Sequence, residues 1–378
     1  MARAGLGDGW RCLFANDFDR MKSKTYVDNW GTGHLVCGDV ASLTTADLPG
    51  AADLAWASFP CQDLSLAGDC AGLGRATAPT TTRSGTFWPF WALMRALRQQ
   101  GRAPATIVLE NVYGALTSHR GKDFSAIGSA LSSAGYRFGA VVLDAIDFVP
   151  QSRPRVFFVA VKQSLDLPSD LVMSAPCARG HPRALVNAYS GLSAAAKRRW
   201  VWWRLPNPNP RFTSLSDFID DAPVGVSWHE PEVTARLLQM MSSVNRAKVE
   251  AAGGTGRRMI GGVYKRTRPN AEGVKAVRAE VRFDDVAGCL RTPAGGSSRQ
   301  VILVVEGGCI RSRLLSPREA ARLMGLDDSY KLPPRYNDAY HVAGDGVCPP
   351  VVRHLAAHLL EPLLASSEPP LLRLMRAA

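Results

Sequence analysis

The stretch Trp56-Ala57-Ser58-Phe59-Pro60-Cys61-Gln62-Asp63-Leu64-Ser65 decides how this chain is interpreted. Residues 51–57 form a short run that begins polar and ends in small side chains, which is typical of a buried strand. Pro60 then fixes the backbone and places Cys61 at the carboxyl end of that strand, where open α/β sheets bind their ligands. A thiol there is a candidate nucleophile, although a free cysteine is more often a buried structural residue.

Other apolar runs end in polar side chains in the same way, at 11–19, 34–40 and 105–112, and a loop at 150–155 leads into a further apolar run at 156–161. Helical spacing of apolar residues at 87–99 and 124–134 separates some of them. This alternation predicts an α/β fold over residues 1–163, with a mostly parallel sheet covered on both faces. At the end of the first run, Asp17 is a candidate to bind ribose hydroxyls and Phe18 to stack on a purine.

The size and composition of the chain are those of a soluble globular protein. Its 378 residues favour two domains, and 46% of them are hydrophobic. We find no apolar run of about 18 residues and no signal-peptide block, so we expect a cytoplasmic protein without a membrane segment. The eight cysteines include no C-x-x-C pair, which favours reduced thiols over disulfides and predicts no metal site.

The middle of the chain is basic. Of the net charge of +12, residues 164–312 contribute 21 Lys and Arg against 13 Asp and Glu. Any one basic cluster is as readily a solvated surface, but several in one segment indicate a polyanion such as nucleic acid. The composition also changes after Lys162, where we place a second domain; Trp200, Trp202 and Trp203 there are expected to be core residues.

Regular structure is predicted again toward the end of the chain. Residues 206–210 are expected to be a rigid loop and 253–256 a flexible one. Val301–Val305 is a predicted strand, and Ser316-Pro317-Arg318-Glu319 is a capping box that begins a helix. Residues 344–347 are expected to turn into a last helix over 350–364.

Taken together, these stretches resemble the C5-cytosine DNA methyltransferases. The resemblance covers nearly the whole chain apart from the middle of the second domain. It is carried by blocks that occur in a fixed order: Asn16-Asp17-Phe18-Asp19, Gly38-Asp39-Val40, Phe59-Pro60-Cys61-Gln62, Glu110-Asn111-Val112, Gln151-Ser152-Arg153-Pro154-Arg155, Arg313–Glu319 and Gly344-Asp345-Gly346-Val347. The fold it implies is a Rossmann-like S-adenosylmethionine-dependent methyltransferase domain with a smaller target-recognition domain.

The resemblance implies a covalent mechanism. Cytosine C5 is a poor nucleophile until a thiolate adds to C6 and a proton reaches N3. Cys61 is the implied nucleophile, and Glu110 the acid that contacts N3 and the exocyclic amine. Arg153 and Arg155 are expected to hold the flipped cytosine and its phosphate. Asn111 and Gln151 complete the set of candidate catalytic residues.

The implied cofactor is S-adenosyl-L-methionine. Its ribose, adenine and methionine parts are expected to contact residues from several blocks: Asp17, Phe18, Asp39, Val40, Pro60, Phe87, Asp345 and Gly346. Considered alone, Asp17 and Asp39 are as readily ordinary strand-end turns. The family usually has asparagine where this chain has Asp345, at a position that helps hold the methionine end of the cofactor, and the added carboxylate alters that contact without abolishing it.

The implied partner is double-stranded DNA, bound by a target-recognition domain at 164–337, while 338–378 packs back on the catalytic domain. A monomer is expected, with a restriction endonuclease as a further partner. The family's first strand and its glycine loop have no counterpart before Ala2, so we expect the natural protein to begin upstream. Two alternatives stay open: a DNA-binding remnant without catalysis, and the tRNA-directed branch of the family.

Overall fold

The computed structural model describes residues 1–59, 86–269, 273, 275–292 and 299–366. The strands are β1 (Ala15–Asp17), β2 (Leu35–Cys37), β3 (Leu54–Ser58), β4 (Thr106–Val112), β5 (Tyr136–Asp144), β6 (Pro154–Lys162), β7 (Val172–Met173), β8 (Trp202–Trp203), β9 (Met259–Pro269), β10 (Lys275–Arg282), β11 (Val301–Glu306) and β12 (Cys309–Leu314). The α-helices are α1 (Ala2–Leu6), α2 (Arg20–Trp30), α3 (Phe87–Gln99), α4 (Lys122–Ser133), α5 (Arg183–Ser190), α6 (Ala194–Lys197), α7 (Pro231–Gln239), α8 (Ser243–Gly254), α9 (Pro317–Leu323), α10 (Tyr336–Asp345), α11 (Pro349–Leu355) and α12 (Glu361–Ala365). None of the helices in these ranges is long and apolar enough to cross a membrane.

The central sheet has the strand order β3-β4-β6-β5. β3 and β4 are parallel, with Ser58 opposite Glu110, whereas β6 is antiparallel to both β4 and β5. Among the described residues this sheet is therefore mixed, with one parallel and two antiparallel strand pairs. Only residues 145–153 join β5 to β6, and so short a connection cannot form the crossover that parallel strands need.

A second, smaller sheet consists of β1 and β2, which run parallel with Ala15 opposite Leu35. Among the described residues, β1 bonds only to β2, and β3 only to β4. The predicted runs at 11–19 and 34–40 contain β1 and β2, and β3 extends one residue beyond the run at 51–57; Asp17, Cys37 and Ser58 are the carboxyl-terminal residues of these strands. The expectation of a missing first strand stays a prediction.

Two helices cover the central sheet where apolar spacing predicted them. α3 has the predicted bounds, and its buried residues join the same hydrophobic cluster as Ile107 and Leu109 of β4. α4 begins two positions earlier than predicted, at Lys122, and the chain turns after it at Gly135. The φ of Gly135 is 80°, a conformation that glycine adopts without steric cost.

Residues 172–203 pack on the central sheet. The Trp203 indole donates to the Val159 carbonyl at 3.1 Å, and the Trp200 ring lies edge-on to Phe138 at 5.3 Å. A Cβ at Gly139 would lie 1.9 Å from the Val201 carbonyl oxygen, so this close approach requires glycine. The tryptophans are core residues, as predicted. The division into domains at 163 and 337 stays a prediction.

Strands β10-β9-β11-β12 form a second four-stranded sheet, antiparallel throughout. α8 packs on it through Val249 and Ala252. Gly253 and Gly254 belong to the last turn of α8, which corrects the prediction of a flexible loop over 253–256. The Ser242 hydroxyl caps the start of the helix by accepting from the Asn245 amide. This cap and the burial of one helix face outweigh the conformational entropy that the two glycines lose on entering a helix.

The C-terminal part returns to the central sheet. The predicted capping box is confirmed, because Ser316 and Glu319 bond each other's backbone amides at the start of α9. Gly344 and Asp345 are the last two residues of α10, which corrects the expectation that this block is a turn. The helix extends through them because its buried residues pack against α9. Helices α11 and α12, joined through a π-helical turn, lie in the hydrophobic cluster that includes β4 and β6.

Candidate active site

Glu110 and Arg155 form an ion pair near the carboxyl end of β4. Arg155 is opposite Val112 on the neighbouring antiparallel strand, so it is the diagonal neighbour of Glu110 on the same face of the sheet. The Arg155 Nε atom lies 3.2 Å from Glu110 Oε1, and both side chains are largely buried. A carboxylate and a guanidinium therefore face each other at the sheet edge.

Arg153 is held by backbone carbonyls. It is 2% exposed, and its Nη1 donates to Leu290 at 3.0 Å while Nη2 donates to Gly344 and Gly346, both at 2.7 Å. Burial and the nearby Arg155 charge lower the pKa of Arg153. This placement differs from the expectation that Arg153 contacts cytosine or its phosphate, because protein groups already occupy both of its Nη atoms.

Gln151 is also fully buried and joins three parts of the chain. Its Nε2 donates to the Leu323 carbonyl at 2.7 Å, and its Oε1 accepts from the Leu290 amide at 3.1 Å. The Ala287 amide donates to the Pro150 carbonyl, and the Ala287 carbonyl accepts from the Ser152 amide, so Ala287 is bonded to the backbone on either side of Gln151. The segment 286–290 therefore clamps the loop that carries Gln151 and Arg153. No feature of the sequence pointed to this segment.

Asn111 holds the chain just before the candidate nucleophile. Its Nδ2 donates to the Phe59 carbonyl at 3.3 Å, and the Phe59 ring lies 5.6 Å from that of Phe87. Cys61 and Pro60 lie outside the described residues. The described peptide that leads to them is anchored on the strand that carries Glu110.

A second thiol lies beside the arginines. Cys289 is 3.4 Å from Arg153 Nη1. Burial raises the pKa of this thiol, but the charges of Arg153 and Arg155 and a hydrogen bond from Arg155 outweigh burial, and the pKa lies below its usual value. Cys289 was not predicted from the sequence. Within the described ranges, no group of three or more potential metal ligands is present.

The candidate cofactor residues lie at the ends of β1 and β2. Asp17 accepts from the Asp19 amide at 2.9 Å; burial raises its pKa, and that hydrogen bond and the Lys22 charge act in the opposite direction. Phe18 is 71% exposed, and Asp39 is exposed and accepts from the Ala41 amide at 2.9 Å. These three side chains are accessible to a ligand.

Two other cofactor candidates have different surroundings. Phe87 is completely buried and stacks on Trp91 at 6.1 Å, so its ring is a core side chain rather than a pocket surface. Val40 lines a cavity of about 520 Å³ between the turn at 40–42 and α3, together with Leu43 and Trp88. Trp88 was not predicted from the sequence.

The last block joins the first through an ion pair that was not predicted. Lys22 Nζ lies 2.5 Å from Asp345 Oδ2, and the Thr292 hydroxyl donates to Asp345 Oδ1. Gly346 follows Asp345 and contributes its carbonyl to Arg153. The candidate cofactor and catalytic residues therefore meet at the end of α10.

Comparison with known proteins agrees with these features. Residues 2–361 match the family described as C-5 cytosine-specific DNA methylase. The chain is 27% identical over 364 residues to the type II methyltransferase M.NlaX of Neisseria lactamica, covering 96% of this chain and 92% of that protein. It is 24% identical over 374 residues to M.HhaI of Haemophilus parahaemolyticus, covering 94% and 92%.

Solved structures share the fold. The S. pombe Dnmt2 methyltransferase has a TM-score of 0.56 at 16% identity, covering 93% of this chain and 91% of that one. The Entamoeba histolytica methyltransferase EhMeth has a TM-score of 0.58 at 13% identity, covering 93% and 90%. At these identities the likeness concerns the fold alone, and the predicted Rossmann-like α/β class is confirmed.

Proposed function

This chain belongs to the C-5 cytosine-specific DNA methylase family, and we propose that it methylates cytosine within a specific sequence of double-stranded DNA through a covalent Cys61 adduct. As a member of that family it is a DNA cytosine-5-methyltransferase that uses S-adenosylmethionine. The observation that carries the proposal is the Glu110–Arg155 pair at the carboxyl end of β4.

The register of the sheet supports Cys61 as the nucleophile. Ser58 is opposite Glu110, and β3 and β4 run in the same direction, so the chain leaves β3 at the edge where Glu110 lies. Cys61 is three positions further on. Three residues span at most about 10 Å, a distance that one pyrimidine ring and its contacts can bridge.

The residues then have separate roles. The Cys61 thiolate attacks C6, and the bond electrons move toward N3, where Glu110 supplies a proton. Arg155 orients the Glu110 carboxyl and contacts the base, while Asn111 fixes the peptide before Pro60. Bound S-adenosylmethionine supplies the electrophilic methyl group that C5 takes up. A base then removes the C5 proton, and the thiolate leaves. We assign Arg153 and Gln151 positioning roles, because protein groups occupy their polar atoms.

The strand ends suit the nucleoside part of S-adenosylmethionine. The Asp17 carboxylate is positioned to accept from ribose hydroxyls, the exposed Phe18 ring to stack on adenine, and Asp39 to meet the adenine amine. Val40, Leu43 and Trp88 provide an apolar wall next to Asp39. Phe87 supports this wall from the core rather than by contact.

The antiparallel sheet β10-β9-β11-β12 supports DNA binding. The β9–β10 hairpin exposes Arg266, Lys275 and Arg278, which suit phosphate contacts. A cytosine in a duplex must leave the base stack before C6 can be attacked, and methyltransferases are among the enzymes known to flip bases. We propose that 164–337 is the target-recognition domain, that the protein acts as a monomer, and that, as for type II relatives, a restriction endonuclease accompanies it.

The test is covalent trapping. Wild-type protein with S-adenosylmethionine and a duplex that contains 5-fluorocytosine forms a denaturant-resistant adduct, because C5 then carries no removable proton. Cys61→Ser forms none, since a hydroxyl is far less ionised than a thiol. Cys309→Ser, in an exposed position of β12, is the matched control and keeps the adduct.

Three outcomes would overturn parts of this proposal. An adduct with Cys61→Ser contradicts the nucleophile assignment. An adduct with tRNA in place of duplex DNA reassigns the substrate. Bisulfite sequencing of DNA from cells that express the protein gives the recognition sequence, and a complete lack of methylation there points to a binding remnant.

A further inference from the structure

Two buried polar side chains of the antiparallel sheet β10-β9-β11-β12 have no hydrogen-bond partner among the described residues. Gln300 is 4% exposed, yet neither its Nε2 nor its Oε1 atom is bonded, and the Tyr264 hydroxyl is buried and unbonded in the same way. Val263 is opposite Val301, so Tyr264 and Gln300 are the next neighbours along β9 and β11. Buried groups of this kind lose their hydrogen bonds to water on folding, so native proteins contain few of them without a protein or water partner.

Both polar groups lie close to the same place, next to Gly262. A Cβ at Gly262 would lie 3.0 Å from Gln300 Nε2 and 3.5 Å from the Tyr264 hydroxyl oxygen, so the two groups converge where glycine has no side chain. The Tyr264 oxygen also lies against Gly288, since a Cβ there would be 2.1 Å from it. Burial raises the pKa of Tyr264, although Arg282 and the Gly288 amide oppose this effect, so the hydroxyl keeps its proton and can donate it.

Tyr340 of α10 adds another hydroxyl from the catalytic side. It is fully buried, and its oxygen accepts from the Gln300 backbone amide at 3.1 Å. This bond leaves the proton of the Tyr340 hydroxyl for another acceptor. The three side chains are neutral, so a neutral polar ligand suits them better than an ion does, because a buried ion needs a countercharge.

We propose that Tyr264 and Gln300 bind a water molecule that bridges the antiparallel sheet to the elements that hold Arg153, and that both are positioning residues for methyl transfer. The amide donor, the amide acceptor and the hydroxyl give one water the two to four partners that a buried water has. The elements beside the site both hold Arg153, α10 through the Gly344 carbonyl and the segment 286–290 through a carbonyl of its own. The inference rests on the proposed methyl transfer, because the loop that carries Arg153 serves that reaction.

The direction of a stability change tests the water. If water bridges the two groups, removing either one leaves the other incompletely bonded, so Tyr264→Phe and Gln300→Leu each lower the thermal midpoint, by about 1–3 °C. The double variant loses less than the sum, because both substitutions break the same bridge. In a dry site each substitution removes an unbonded polar atom, and the midpoint rises. Midpoints that rise, stay unchanged or fall additively overturn the inference.

A matched control and a direct observation complete this test. Tyr189→Phe removes a hydroxyl from α5, which packs on β5 of the central sheet, and it leaves the midpoint and the methylation rate unchanged. A high-resolution crystal structure of the wild-type protein shows an ordered water within hydrogen-bond distance of the Tyr264 hydroxyl and the Gln300 amide. A direct bond between these two side chains in that structure contradicts the bridge.

Single-turnover methylation distinguishes positioning from a structural role alone. At saturating DNA and well below the midpoints, Tyr264→Phe and Gln300→Leu lower the rate of methyl transfer at least about threefold. Both leave DNA affinity unchanged, since the two polar groups are buried away from DNA. A wild-type rate in both variants overturns the positioning role. A wild-type protein that methylates no DNA refutes the proposed function instead, and the midpoints and the crystal structure still decide whether water is bound.

Discussion

Arg153 and Arg155 lie on either side of Pro154, and their guanidinium groups have different surroundings. Arg155 points along the sheet face to Glu110. Arg153 is turned into the protein, where its most distant partner, Gly346, is 193 residues away in sequence. A motif identifies both as arginines but cannot show this difference, because partners that are backbone carbonyls leave no side-chain pattern in the sequence.

We predict that Arg153→Met lowers the stability of the fold, whereas Glu110→Gln lowers the rate of methyl transfer and leaves the stability nearly unchanged. Arg153→Met leaves the carbonyls of Leu290, Gly344 and Gly346 without this donor and lowers the thermal midpoint, by the equivalent of about 1–3 kcal/mol. Glu110→Gln keeps the size of the side chain and an acceptor for Arg155, so the midpoint stays within a few degrees while methyl transfer falls about 100-fold or more. Thermal unfolding and single-turnover methylation measure the two effects. The assignment is wrong if Arg153→Met unfolds normally, or if Glu110→Gln methylates at the wild-type rate.

At the level of the elements, the β9–β10 hairpin carries an unfavourable pair. Arg266 and Arg278 are directly opposite each other, both are exposed, and like charges across a ladder destabilise it. Glu280 relieves part of this through its 3.4 Å contact with Arg266. A bound polyanion would compensate the remainder, so this pair supports the proposal that DNA binds here.

We predict that Arg266→Gln with Arg278→Gln flattens the salt dependence of DNA binding. Each phosphate contact contributes a slope of about −0.9 in log affinity against log salt, so the double variant loses about 1.8. Fluorescence anisotropy between low and moderate salt measures it. Arg282→Gln is the control, because Asp284 already pairs with Arg282. An unchanged slope in the double variant places the DNA surface elsewhere.

The elements that the sequence predicted well are those with their own local signal. The apolar spacing of α3 gave its bounds, and the Ser316 capping box gave the start of α9. Gly253 and Gly254 were placed in a loop because propensity disfavours glycine in helices, whereas they continue a helix that packs on its sheet through Val249 and Ala252. The antiparallel direction of β6 was also not predicted, because it is set by pairing with β4, which is far away in sequence.

In the whole molecule, the first helix shares an interface with a helix from the C-terminal part of the chain. α1 packs on α11, and the Trp10 indole donates to Glu361 Oε1 at 2.9 Å. A Cβ at Gly5 would lie 2.5 Å from both the Pro349 carbonyl oxygen and Val352 Cβ. The two helices are therefore close enough that only glycine fits at position 5.

We predict that Gly5→Val lowers the thermal midpoint by the equivalent of about 1–3 kcal/mol, as overpacking does. Gly9→Val introduces the same side chain where nothing lies within 4 Å, and it leaves the midpoint nearly unchanged. Differential scanning calorimetry on both variants gives the comparison. Equal midpoints for the two variants contradict the close approach of α1 and α11.

The carbonyls of Gly344 and Gly346 hold Arg153, while Asp345 between them reaches toward Lys22. One short peptide thus contacts both the start of α2 and the loop that carries Arg153. The end of α10 therefore connects the start of α2, the loop that carries Arg153 and the segment that carries Leu290, and we expect these three parts to open as one cooperative unit.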